Sequence, residues 1–260
     1  MTQTAELYGS FWRRHTPAVT DRMIEAFYVR LRSNDFPLDY FEGKACLDAG
    51  SGSGRSALGM SRLGAVAYAC DLAPTVQPGV FTDRADILDM PYPDNMFDFV
   101  WCSGVVHHTE DPAKGLAEIR RVLRPEGKAF FLVYKKGPRW DTINQLREQI
   151  CDVSLSDFER AIVKANLPIL QCQGLIDDLY VPNLRTYTQV EWEGMLTEAG
   201  FSVLEWWKPD MLLDHTGATL EARHFGRIAL ILSQMGIEAD CSFHGPPTIA
   251  SAGNMMTLVS

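Results

Sequence analysis

The sequence predicts an α/β protein: a doubly wound, mostly parallel sheet of seven strands, with an inserted helical cap and N-terminal helices ahead of the sheet. Three observations predict it. Short apolar runs alternate with helical patterns over residues 45–134. The run 129–134 is apolar without interruption, as a strand buried on both faces of a parallel sheet must be. A glycine-rich stretch, Gly50-Ser-Gly-Ser-Gly54, stands between an apolar run and a helical one, the strand–turn–helix junction where open α/β sheets bind ligands. Strands alternating with helices imply right-handed crossovers and helices on both sheet faces.

Taken in order, residues 1–43 read as a helical segment that precedes the sheet. Residues 45–47 form a strand ending at Asp48, and 55–63 a helix closed by Gly64. Residues 66–70 give a second strand ending at Asp71, 81–85 a weak third, and 97–102 a fourth rich in Phe, Val and Trp. Asp111 caps the next helix and Pro112 suits its first position. Leu116, Ile119 and Leu123 recur at helical spacing, and Pro125 and Gly127 stop the helix. Residues 138–189 hold two proline-bounded helical stretches and are too long for a plain loop, which predicts the cap. Beyond them come a helix over 188–199 ended by Gly200, a strand over 201–207, an amphipathic helix marked by Leu220, His224, Ile228, Ile231 and Met235, and a last strand over 255–259. The expected organisation is therefore 1–43, a core at 44–137, the cap at 138–189, and 190–260 completing the core sheet.

Composition narrows the function. The 260 residues are 46% hydrophobic and 22% charged, which excludes a disordered or fibrous chain. A net charge of -9 argues against a general nucleic-acid binder, whose phosphate contacts need a positive face. No apolar run approaches the roughly 20 residues that span a bilayer, so no membrane association is expected and the location is read as cytoplasmic. The six cysteines form no C-x-x-C pair. They read as small buried thiols in a reducing compartment, and no metal site is expected, the cap residues Cys151 and Cys172 included. No motif specifies an oligomeric state.

The chemistry gathers at strand ends. Glycines let the main chain turn sharply and approach a ligand, and a following helix N-terminus adds free amides. Asp71, about 20 residues after the first glycine, suits two ribose hydroxyls. Asp86 can accept from an exocyclic amine while Ile87 offers apolar contact, which matches the edge of adenine. A dinucleotide fingerprint survives in one register, Gly52, Gly54 and Ala57. Asp48 speaks against that register, because a carboxylate ahead of the first glycine repels a pyrophosphate and suits an ammonium.

Four segments in fixed order carry a resemblance: Leu47-Asp-Ala-Gly-Ser-Gly-Ser-Gly54; Asp86-Ile-Leu-Asp-Met-Pro-Tyr-Pro-Asp-Asn-Met-Phe-Asp98; Val105-Val-His-His108; and Glu118-Ile-Arg-Arg-Val-Leu-Arg-Pro-Glu-Gly127. Over about a third of the chain the sequence resembles the core of class I S-adenosylmethionine-dependent methyltransferases of Rossmann-like fold, most of all the small-molecule and quinone-biosynthesis branch. Glu126 departs from the glycine usual in that family, at a turn away from the cofactor. The resemblance implies S-adenosyl-L-methionine as cofactor, with Asp48 and the Ser103 carbonyl at its ammonium and Gly50, Ser51, Gly52 and Gly104 close to it. Asp71 is then at the ribose, Leu72 on the adenine face, and Asp86 and Ile87 at the adenine edge. It implies further that the N-terminal aromatics Tyr8 and Trp12, beside Phe11, fold over the cofactor.

His107 and His108 are the candidate catalytic pair, since an imidazole titrates near neutral pH. Adjacent loop residues point apart, which gives His107 the methyl pocket and His108 a structural hydrogen bond. Tyr134, Trp140, Tyr180 and Tyr187 are the candidate lining of an acceptor pocket. The predicted activity is methyl transfer to an oxygen, nitrogen or carbon of a small molecule. The alternatives are a methyltransferase acting on RNA or protein, and an NAD(P)-binding oxidoreductase or non-catalytic nucleotide-binding module.

Overall fold

The computed structural model describes residues 3–12, 14–208, 220–238 and 254–260. Cys241 lies outside them. Helices α1 (Gln3–Trp12) and α2 (Pro17–Ser33) lead to β1 (Ala45–Ala49), α3 (Arg55–Arg62), β2 (Val66–Asp71), β3 (Val80–Arg84) and β4 (Phe97–Ser103). Next come α4 (Pro112–Val122), β5 (Leu123–Lys135), α5 (Pro138–Gln149), α6 (Leu155–Lys164), α7 (Gln173–Tyr180) and the two-residue β6 (Thr186–Tyr187). The chain closes with α8 (Gln189–Glu198), β7 (Val203–Trp207), α9 (Leu220–Ser233) and β8 (Asn254–Val259). Among the described residues no helix is long and apolar enough to cross a membrane.

The sheet runs β3-β2-β1-β4-β5-β8-β7, with β6 paired to β5 as an eighth, two-residue strand that the seven-strand expectation lacked. The pairs from β3 through β5 are parallel, and β8 runs antiparallel between β5 and β7. The order reverses between β1 and β4, so the crevice at their carboxyl ends is where such a sheet binds ligands. Alternate residues explain why both faces carry helices. Leu47, Val100, Cys102, Phe131 and Val133 join one core with Leu116 and Ile119 of α4 and Trp192 of α8. Their neighbours Cys46, Phe99, Trp101, Phe130 and Leu132 join the other with Phe27 and Leu31 of α2 and Met60 of α3. Trp101 and Phe130 stack with ring centroids 3.9 Å apart. Each such buried side chain is worth about 1.5–3 kcal/mol relative to exposure, so the sheet centre forms the rigid support for its own strand ends.

Local signals act as read. Asp111 accepts from the Lys114 amide at 3.0 Å and Pro112 opens α4. Thr188 and Glu191 close a reciprocal capping box on α8. One boundary differs: α4 ends at Val122 and β5 starts at once, running through Pro125 and Gly127, which had been read as the helix stop.

The described residues cluster into two units, one of Met1–Tyr134, Tyr187–Asp210 and Asn254–Ser260, the other of Lys135–Thr186 and Met211–Gly253. The second unit is helical. Its α9 groups with α5, α6 and α7, whereas the sequence reading placed all of 190–260 with the sheet. The reason is visible in the packing: α9 lies against α6, and its Phe225, Ile228, Ile231 and Leu232 are buried. Within this unit the buried Asp178 carboxylate receives Arg139 at 2.7 Å and His224 at 2.8 Å on one oxygen, tying α5, α7 and α9.

Candidate functional site

The turn after β1 is set by its glycines. Gly50 and Gly52 have φ of +77° and +52°, in the left-handed region. A Cβ on Gly50 would lie 2.4 Å from Val105 Cγ2, and one on Gly52 2.5 Å from the Trp12 indole. Only bare backbone fits. Main-chain bonds then lock the turn: Gly50 and Ser51 N–H both donate to the Cys70 carbonyl at 2.8 and 3.0 Å, and Thr75 N–H to the Gly52 carbonyl at 3.0 Å.

Two carboxylates stand beside this turn. Asp48 is buried and accepts from the Ala57 amide at 3.1 Å, so it also caps α3. Burial pushes its carboxyl up to about 7; Arg55 and the Ala57 bond pull it down, and the Asp71 charge pushes it further up. Asp71 takes the Gly52 amide on one oxygen at 2.9 Å and the Ala73 amide on the other at 2.8 Å. Burial raises it as well, and these two bonds oppose the rise. Each oxygen keeps a second lone pair. Asp86, half-buried past the end of β3, accepts from the Leu88 amide at 2.9 Å. Ile87 is buried in the core beside it, and Leu72 is half-buried, its carbonyl accepting from Arg84 at 2.9 Å.

Two arginines that sequence reasoning missed complete the polar side. Arg55, the first residue of α3, carries its guanidinium 5.6 Å from the Trp12 ring. Burial lowers its pKa; Asp48 opposes that and Arg30 adds to it, so the three charges feel one another. Arg30 reaches Ser103 Oγ at 3.5 Å from α2. A cation at a helix N-terminus opposes the helix dipole, so Arg55 was a signal available in the sequence. Nothing local marked Arg30. At the end of β4, Gly104 has φ of +76° and donates to the Leu132 carbonyl at 3.0 Å.

The other side of the crevice is aromatic. Val106–His108 form a 3₁₀ turn that buries both imidazoles. The rings do not point apart as expected: their centroids are 4.0 Å from each other, because the tight turn holds both against the core. His107 also lies 4.0 Å from the Tyr134 ring, and Tyr8 lies 5.9 Å from His108. Burial holds His107 well below the usual imidazole range, with His108 adding to the shift, so His107 is neutral at physiological pH. Neither of its ring nitrogens has a hydrogen-bond partner among the described residues, and the same is true of the buried Ser51 hydroxyl and the buried Trp12 Nε1. Buried polar atoms are rarely left so. Tyr8 and Trp12 stack 6.0 Å apart on α1.

The predicted acceptor lining divides. Tyr134 joins the imidazoles. Tyr187 packs on Trp192 at 5.4 Å inside the core of the first unit. Trp140 and Tyr180 belong to the second unit, Trp140 buried on α5 with the Arg139 guanidinium 5.2 Å from its ring, Tyr180 against Phe158 at 5.3 Å. Cys46, Cys70, Cys102 and Cys172 are buried free thiols and Cys151 is exposed.

Residues 47–131 match the model of a methyltransferase domain. Residues 47–131 are a class I S-adenosylmethionine-dependent methyltransferase domain. The relatives of this methyltransferase domain include Methyltransferase GfsG of Streptomyces halstedii, 27% identical over 58% of this chain and 60% of that protein. They include also the malonyl-[acyl-carrier protein] O-methyltransferase of Halorhodospira halophila, 34% identical over 52% and 50%, and the 2-phytyl-1,4-naphtoquinone methyltransferase of Nostoc punctiforme, 32% identical over 36% and 48%. The chain thus spans about half the length of the curated relatives it matches. In fold it is similar to a chain solved in complex with the Haloferax volcanii Trm112 methyltransferase activator, with TM-score 0.57, 15% identity and coverage of 97% and 96%.

Proposed function

We propose that the protein transfers the methyl group of S-adenosyl-L-methionine to a nucleophilic atom of a small organic molecule. The observation that carries this reading is the pair of desolvated carboxylates, Asp48 and Asp71, at the ends of β1 and β2, around a turn where Ser51 Oγ and Trp12 Nε1 are buried without partners. That donor set fits a ligand with an ammonium, hydroxyls and a carboxylate. A pyrophosphate would meet Asp48 head on.

When bound, the cofactor supplies a methyl group activated by a sulfonium. The chain does the rest. Asp48 and the Ser103 carbonyl hold the ammonium, and Arg30 and Arg55 neutralise the carboxylate of the methionine moiety. Asp71 accepts from the ribose, Leu72 packs on adenine, and Asp86 and Ile87 meet its edge. Gly50, Gly52 and Gly104 allow close main-chain approach, Ser51 supplies a hydroxyl, and Tyr8 and Trp12 offer aromatic faces to a cation. On the acceptor side His107 and Tyr134 orient the nucleophile. His107, neutral and unpartnered, takes its proton at a ring nitrogen as the bond to carbon forms, and His108 beside it tunes that nitrogen's basicity. Alignment and exclusion of water supply much of the remaining acceleration. Relatives named for a phytyl naphthoquinone and for an acyl-carrier-bound malonyl group support a small organic acceptor.

Calorimetric titration tests the donor half. S-adenosylhomocysteine binds and NADH does not; the reverse result would contradict the reading.

A further inference from the structure

The segment that carries Asp86 and Ile87 has no regular structure of its own. It turns back at once: Asp86 accepts from the Asp89 amide at 3.0 Å through its carbonyl and from Leu88 N–H through its side chain. Beyond the turn, helix α4 holds it. Gly115, Glu118 and Arg121 recur every third residue and so share one face of that helix. At Gly115 the bare backbone receives Leu88 and Ile87, whose methyl groups would stand 3.5 and 3.6 Å from an added Cβ. Glu118 accepts from the Met90 amide at 3.0 Å.

Arg121 gathers the rest. Its Nε and Nη2 grip the two oxygens of Glu118 at 2.9 and 2.8 Å. Its Nη1 donates to the Tyr92 carbonyl at 2.7 Å and to Asp94 at 2.9 Å, and Nη2 also donates to the Met90 carbonyl at 3.0 Å. Every guanidinium N–H has an acceptor. The helix does not need this fork to stay attached, since Leu116, Ile119 and Val122 bury its apolar stripe. What the fork adds is a clamp on main-chain atoms of the segment that follows β3.

We propose that Glu118 and Arg121 are positioning residues for base recognition: they fix the turn 86–90 so that Asp86 and Ile87 present one geometry to the edge of adenine. This rests on the adenosyl reading above. The fork is planar and bidentate, so lysine cannot replace it. A site built to hydrogen-bond a substrate N–H rejects an analogue lacking it, but only while its own groups are held in place.

The test measures equilibrium binding of S-adenosylhomocysteine and of S-inosylhomocysteine, in which oxygen replaces the 6-amino group, to the full chain and to Arg121→Lys, Arg121→Gln and Glu118→Gln. The full chain prefers the adenine compound by about tenfold or more. Each variant loses most of that preference, with affinity for the inosine compound within about threefold, an order-of-magnitude expectation for loss of a supporting shell. General destabilisation would weaken both ligands alike. Preference kept in the variants, or absent from the full chain while S-adenosylhomocysteine still binds, overturns the positioning role alone. If the full chain binds neither compound, the adenosyl reading fails and takes this proposal with it. Arg121→Lys keeps the charge and the folded state within reach should Arg121→Gln unfold.

Discussion

The two sides of the crevice handle buried polarity in opposite ways. On the β1–β2 side Asp48 is buried and Asp71 half-buried, yet each accepts from main-chain amides of the glycine turn or its flanks. On the β4 side His107 is buried with both ring nitrogens unpartnered among the described residues. On the first side the chain itself orients the carboxylates, and Ser51 Oγ and Trp12 Nε1 are left without partners among the described residues. The second is left for a ligand to finish.

The comparison breaks most visibly through pH. Asp48 keeps its proton to about 7 in the folded state, against 3.8 ordinarily. Between those values the folded protein holds more protons than the unfolded one, so this group lowers stability as pH rises from about 4 to 7, by up to ~4 kcal/mol. Asp48→Asn removes that decline; denaturant unfolding of both proteins at pH 4.5 and 7.5 measures it, and parallel curves would show that Asp48 is not strained by burial. Next in size, His107→Phe preserves the packing on Tyr134 and removes the nitrogens. Turnover should fall roughly 100-fold while S-adenosylhomocysteine affinity stays within about twofold. Turnover that survives leaves the β4 side without a proton acceptor.

These expectations also mark how far the sequence could be read. β1 to β4, α3 and the Asp111 cap were legible because strand and helix periods and capping residues are local signals. The antiparallel seat of β8 between β5 and β7 was not, because strand order is a long-range choice that periodicity does not encode. Pro125 was read as a helix stop, and β5 nonetheless passes through it, because the strand pairs with β4 through Leu123 and then from Lys128 onward, skipping the proline. Among the site residues, Asp48 and Asp71 stood at strand ends and could be found. Arg30 comes from a helix far ahead in sequence, and Tyr187 looked like an aromatic of the cap until its packing on Trp192 placed it in the core.

Two smaller effects sharpen the donor side. Asp71→Ala removes one half-buried, charge-assisted acceptor and should weaken S-adenosylhomocysteine by about 1–3 kcal/mol; unchanged affinity would remove Asp71 from the ribose. Trp12→Phe keeps an aromatic ring on α1 but deletes the N–H together with the pyrrole half of the indole over Gly52. A two- to fivefold loss is expected, about the net worth of one hydrogen bond, and a loss as large as that of Asp71→Ala would mean that the ring itself, not the N–H, matters.

Proton counting tests the donor assignment most directly. Titrate S-adenosylhomocysteine into the protein at pH 7 in buffers of differing ionisation enthalpy. A ligand ammonium beside Asp48 drives the half-protonated carboxyl to ionise, so about half a proton should leave per ligand bound, and none in Asp48→Asn. Binding with no proton released, or with one taken up, would contradict an Asp48 that meets a cation.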